Sequence, residues 1–282
     1  MSSLVMDYLV KTEEDWLRHA PLLKFSPQRI KIHRWGEYEC VTEHNVGLTT
    51  HPAPAATLLE KYRQARAKNK FMFFVANGPF ENARNLINPE DIYLHLLEKP
   101  DWMANVFNTF ADLVIQSHDQ LEKMGMEVDG IHIADDIAYK NGMLFSPQTY
   151  RDLLMPCHKR LFAHFRAKNL PIMFHTDGKL DQALPLLMEA GITAIQPLEA
   201  RAGNDVRTLK PSYGKNLVFV GNIDVEKISG TKKDIEDEIR GKIVAAKENG
   251  GYLYHSDHSV PPTVSFKNYT HALETVRKYG SY

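Results

Sequence analysis

The sequence predicts an α/β protein, a (β/α)8 barrel of the TIM type formed as a single domain over residues 1–282. Three observations carry that expectation. Short apolar runs of about five residues, rich in Val, Ile, Phe or Tyr and with little polar alternation, suit strands buried on both faces, as in a parallel sheet. Longer amphipathic segments separate them, so the chain reads as repeated strand–loop–helix units. No long Pro/Gly/Ser linker interrupts the series, and 282 residues suffice for a barrel of roughly 250.

In chain order, Ile30–Trp35 and Tyr38–Thr42 read as extended segments with a weak apolar signal. The clear strands are Phe71–Ala76, Gly130–Ala134, Ile172–His175, Ile192–Gln196, Leu217–Gly221 and Gly251–His255. Between them, Tyr93, Trp102, Phe107 and Phe110 recur at helical spacing and belong to the core. Ser146-Pro147 is an N-cap with proline at the first helical position, opening a helix that continues, alone or with a second one after Pro156, towards Ala167. Thr231 with Asp234 forms a capping box, followed by Ile235, Ile239, Ile243 and Val244 on one face, and Gly250-Gly251 ends that helix. Ser265 starts the last helix, with Phe266, Tyr269, Leu273 and Val276 inward and Gly280 as terminator.

Composition excludes several classes. With 43% hydrophobic and 24% charged residues, the chain is neither disordered nor a fibrous or coiled-coil rod. Lys and Arg total 34 against 35 Asp and Glu, with no like-charged block, so no nucleic-acid footprint is expected. The longest apolar runs, such as Phe71 to Ala76, are too short to span a bilayer. Met1 to Trp16 carries Asp7, Glu13, Glu14 and Asp15 and lacks a signal-peptide layout. Cys40 and Cys157 cannot make a disulfide framework, and Cys157 reads as a buried structural thiol. A cytoplasmic protein is expected.

In a barrel of this kind the working residues project from the carboxyl ends of the strands. Those positions hold Asn77; Asp135 and Asp136; His175, Asp177 and Gly178; Glu199; Asn222 and Asp224; and His255, Ser256, Asp257 and His258. His175 and Asp177, two apart on an extended segment, point the same way and could share one ion; His258 supplies a third ligand from another loop. Zinc leads iron and manganese on ligand type. The competing readings are a His175 packed at the barrel rim with Asp177 capping the next helix, and a hydrogen-bonded His/Asp network that binds an anionic substrate directly. Asp135 and Asp136 could orient a substrate, with Asp136 as acid or base, or one could cap a turn while the other is solvated. Glu199 is either a second acid/base facing the site or a surface charge paired with Arg201. Asn222 and Asp224 contact substrate, beside a Gly221 that lets a ligand approach, or simply make a turn. Asn77 contributes to the pocket wall and His255 to substrate binding. No dinucleotide, Walker or nucleophile-elbow motif is present.

Taken in order, Gly130-Ile-His-Ile-Ala-Asp-Asp-Ile, Phe145-Ser-Pro-Gln-Thr-Tyr-Arg-Asp-Leu-Leu-Met-Pro, Phe174-His-Thr-Asp-Gly, Gly221-Asn-Ile-Asp and Gly250-Gly-Tyr-Leu-Tyr-His-Ser-Asp-His-Ser-Val-Pro-Pro resemble the uroporphyrinogen decarboxylase superfamily. The resemblance is strong over about residues 125–280 and weak before them. It implies a (β/α)8 barrel and one of two chemistries: cofactor-free decarboxylation of uroporphyrinogen, or zinc-dependent methyl transfer involving corrinoid proteins. Against the methyltransferase branch, this chain keeps His at 175 but has Asp177 and His258 where that branch has cysteines. Nitrogen and oxygen ligands make a harder metal, which points from thiols towards oxygen-bearing substrates such as an aryl methyl ether.

The function expected is therefore metal-dependent methyl transfer between a small substrate and a corrinoid (cobalamin-type) carrier on a partner protein, with a homodimer also allowed. Tetrapyrrole decarboxylation ranks second. Residues 1–60 show no counterpart of the decarboxylase substrate-anchoring stretch, and the strand ends carry Asp, His and Glu where a tetracarboxylate needs Arg or Lys. A non-catalytic barrel that binds a small molecule or a corrinoid ranks third. Measured against the superfamily, the chain reads as a barrel trimmed or irregular at its amino end.

Overall fold

A computed structural model of the chain describes residues 8–35, 38–43 and 55–282, so the first seven residues of the leader reading lie outside the described residues. The fold class is the expected α/β, TIM-barrel type. The chain forms two compact units: residues 1–135 with 145–172, and residues 136–144 with 173–282.

In the first unit, β1 (Ile30–Trp35) and β2 (Tyr38–Glu43) pair antiparallel, with Ile32 opposite Val41. β3 (Met72–Asn77) then runs parallel to β2, and β4 (Gly130–Ala134) parallel to β3. The weak early segments are thus real strands, and the irregularity expected at the amino end is the antiparallel pairing of β1. The helix Pro100–Lys123 covers the unit with Trp102, Phe107, Phe110 and Val114, all buried. Trp16 packs on Phe110 and donates its indole N–H to Asn105 Oδ1 at 2.8 Å, which satisfies its polar end. Ser146 accepts from the Thr149 N–H as the expected N-cap, and after one π-helical turn the helix Met155–Arg166 buries Leu161, Phe162 and Phe165. Cys157 is buried there and its Sγ donates to the Leu154 carbonyl; burial pushes its thiol pKa up.

The second unit opens with a short hairpin, β5 (Ala138–Tyr139) and β6 (Gly142–Met143). Four parallel strands follow: β7 (Ile172–His175), β8 (Ala194–Gln196), β9 (Val218–Val220) and β10 (Tyr252–Leu253). β7 coincides with its apolar run, whereas β8 begins two residues later than expected, β9 loses one residue at each end and β10 keeps only Tyr252 and Leu253 of its run. The helix Lys232–Ala246 begins with the expected Thr231/Asp234 capping box and buries Ile235, Ile239 and Ile243. Val244, expected on that face, is exposed: at one residue beyond Ile243 it lies about 100° round the helix. The helix Phe266–Tyr279 starts at Ser265 as expected, but its buried residues are Ala272 and Thr275, whereas Phe266 and Tyr269 are exposed. Its first turn projects into solvent, and only the later turns are covered. Among the described residues no helix is long and apolar enough to cross a membrane.

Candidate functional site

The second unit gathers Asp136, His175 and Asp177, whose donor atoms all lie within 4.8 Å of one another. His175 ends β7 directly opposite Gln196 on β8, and on neighbouring parallel strands such a pair shares a face. His175 Nδ1 donates to Gln196 Oε1, an atom that can only accept. The other ring nitrogen, Nε2, lies 3.8 Å from Asp136 Oδ1. That same oxygen accepts the Asp177 N–H at 3.0 Å, tying the loop after β7 to the segment after β4.

Thr176, between the two donors, is fully buried. Its Oγ1 accepts the Ile137 N–H, and its own N–H goes to the Gln196 carbonyl. Gly178 turns the chain at φ +88, and a side chain there would collide with the Tyr139 and Ala138 backbone. Its N–H donates to Glu199 Oε2 at 3.0 Å. Arg201 pairs instead with Glu226, so Glu199 faces the loop after β7 and is not a surface charge held by Arg201.

The electrostatics are uneven. Burial raises the Asp177 pKa; the neighbouring His175 and His258 oppose that rise, and the Asp136 and Glu199 charges add to it. Asp177 Oδ1 is buried and accepts no hydrogen bond among the described residues. Burial lowers the pKa of His255, whose Nδ1 meets the Ser256 carbonyl oxygen at 2.5 Å; that contact opposes the shift, and His175 adds to it.

Several expected site residues have other work. His258 is exposed and stands outside the donor cluster, so the third donor assembled is Asp136 and not His258. Asn222 is fully buried: its Oδ1 accepts the Val206 N–H and its Nδ2 donates to the Leu198 and Asn204 carbonyls. That spends its side chain on the fold, in place of the expected substrate contact. Gly221 likewise admits protein, since the Pro197 carbonyl stands 2.1 Å from where a Cβ would sit. Asp224 caps the short helix Val225–Ile228 through the Glu226 N–H, which is the turn reading. Asp257, buried, accepts the Ala200 and Val225 N–H groups; burial raises its pKa while those bonds oppose the rise.

In the first unit, Asp135 is fully buried, accepting the Glu81 N–H at 2.6 Å and meeting His158 Nε2 at 2.8 Å, with His158 Nδ1 2.9 Å from the Tyr150 hydroxyl. It is an interior anchor, whereas its neighbour Asp136 joins the donor cluster. Asn77 ends β3 with its side chain exposed. Two braces escaped the sequence reading. Gln196 was visible as the polar end of a strand. Asn204, which bonds the Leu180 N–H and the Gly178 and Glu199 carbonyls, sits in a loop with no pattern to betray it.

The donors suit a divalent cation: one imidazole and two carboxylates, one of which has a buried oxygen that accepts no hydrogen bond among the described residues. His175 is oriented by a neighbour's hydrogen bond, as metal-binding histidines usually are.

A family model described as Uroporphyrinogen decarboxylase (URO-D) matches residues 49–279. Uroporphyrinogen decarboxylases of Geobacter metallireducens and Geobacter sulfurreducens are each 24% identical over 146 residues, covering 49% of this chain and 39% of the relative's length. The chain therefore matches well under half of those proteins. Its fold is similar to that of a methyltransferase from Methanosarcina mazei, with a TM-score of 0.64 and 17% identity, over 95% of this chain and 85% of that one. At that identity the likeness speaks to the fold.

Proposed function

We propose a function from one premise, that this chain belongs to the uroporphyrinogen decarboxylase family. Within it, the chain is an enzyme that moves a methyl group between a small oxygen-bearing substrate and a corrinoid on a partner protein. The observation that carries this reading is the buried Asp177 Oδ1, which accepts no hydrogen bond among the described residues, inside the Asp136–His175–Asp177 cluster. A buried carboxylate oxygen without a donor costs about 1–3 kcal/mol, and a cation removes that cost. Asp136, His175 and Asp177 would hold a divalent metal, zinc being favoured by the imidazole. When bound it polarises a substrate oxygen.

The chain's own groups do the rest. Gln196 holds the His175 ring so that Nε2 is turned to the carboxylates. Glu199, with one oxygen on the Gly178 N–H, keeps the other to take or give a proton. The methyltransferase name of the fold neighbour agrees with this reading, and the decarboxylase names of the curated relatives favour a second one, tetrapyrrole decarboxylation.

Purified protein is expected to carry a stoichiometric divalent metal at this cluster, and His175→Ala should lose it. The metal-loaded protein should demethylate some members of a panel of methyl ethers with cob(I)alamin as acceptor, and His175→Ala should fall by at least about a hundredfold. No turnover of the panel, together with carbon dioxide release from uroporphyrinogen that Asp136→Ala abolishes, would replace the first reading with the second.

A further inference from the structure

A second set of donors lies in the first unit, on the facing helices Pro100–Lys123 and Met155–Arg166, and has no part in the function proposed above. His118 and Asp119 come from the first helix and His164 from the second. His118 Nδ1 and His164 Nε2 are 3.4 Å apart, and the same His164 nitrogen is 3.4 Å from Asp119 Oδ1. Glu122 Oε2 stands 4.0 Å from His118 Nδ1, one helical turn along. Zinc–nitrogen bonds of 2.0–2.1 Å place neighbouring tetrahedral ligands about 3.3 Å apart. Both edges, at 3.4 Å, are close to that length.

We propose that His118, His164 and Asp119 form a zinc site that staples these two helices, with Glu122 within reach as a fourth ligand. Two imidazoles with carboxylate are a donor set that zinc accepts in tetrahedral geometry. His118 is held in place on its other sides by the Phe74 and Phe165 rings, so its donor is oriented before binding. The local competitor is Lys168, whose ammonium lies 2.6 Å from Glu122 Oε2 and 3.9 Å from Asp119 Oδ1. It supplies the positive charge that zinc would bring. Its side chain is one-third exposed and can swing into water when the ion enters.

The test uses the full chain carrying His175→Ala and Asp177→Asn, which removes the strand-end donors and makes the result independent of the proposed reaction. Zinc alone is titrated against a chromophoric chelator, with circular dichroism confirming the fold of each variant. One zinc should still bind. His164→Gln should weaken it by at least about tenfold, and Lys168→Met should tighten it several-fold. Cobalt in the same place should give the intense visible bands of a tetrahedral site. If His164→Gln unfolds the chain, the smaller change Asp119→Asn should show the same loss of affinity. Absence of zinc binding, or binding that neither the ligand changes nor Lys168→Met alters, overturns the proposal.

Discussion

Gln196 has no chemistry of its own, yet it decides which nitrogen of His175 carries the proton. Its amide oxygen holds the Nδ1–H, so Nε2 presents its lone pair towards Asp136. Replacing Gln196 with leucine keeps the volume and removes the acceptor. The ring could then rotate or change tautomer, and divalent-metal affinity should fall by about ten- to a hundredfold, as zinc titration would measure. Gln196→Glu should retain most of the affinity, because a carboxylate accepts the same bond. A loss equal in both variants would mean that Gln196 acts through packing alone.

At the scale of elements, the helix pair Pro100–Lys123 and Met155–Arg166 makes stability depend on pH. Burial drives the His118 pKa down to about 4; Glu122 and Asp119 oppose the shift, and His164 and Lys168 deepen it. Unfolded, the same ring titrates near 6.5. Its contribution is therefore complete above about pH 6.5, where both states are neutral, and is lost as the pH falls towards 4, where the unfolded chain binds the proton first. Urea denaturation of metal-free protein should show a loss of about 3 kcal/mol across that window, and His118→Gln should flatten it. Helix starts were legible in the sequence because a cap is a local bond: Ser146, Thr231 and Ser265 all cap as expected. The covered face of the last helix was not, since periodicity describes a stripe and not what packs against it. Phe266 and Tyr269 extend the apolar stripe of that helix into solvent.

Across the whole molecule, the alternation of apolar runs and helices was enough to identify the α/β class, and the strand-end rule led to His175, Asp177, Asp136 and Glu199. It could not separate residues that face a ligand from residues that the loops consume. A strand-end Asn or Asp looks the same in either case, and only the folded chain shows how many backbone groups are waiting for it. Asn222 is the clearest instance, with Val206 N–H, Leu198 C=O and Asn204 C=O all bonded to its side chain at φ +70. Asn222→Ala should cost about 3 kcal/mol or more in chemical denaturation, because three buried groups lose their partners and alanine resists that φ. A cost below about 1 kcal/mol would mean that water replaces the amide.

Asn204 and Asn222 join the loops after β7, β8 and β9 through side-chain amides, each bond spanning a set distance. Such stitching accepts one loop length and rejects its neighbours. Insertions and deletions among relatives that keep both asparagines should therefore be excluded from residues 176–180, 197–206 and 221–224 and collect in the mostly exposed stretch 258–263, where diversification of substrate preference would meet the least resistance.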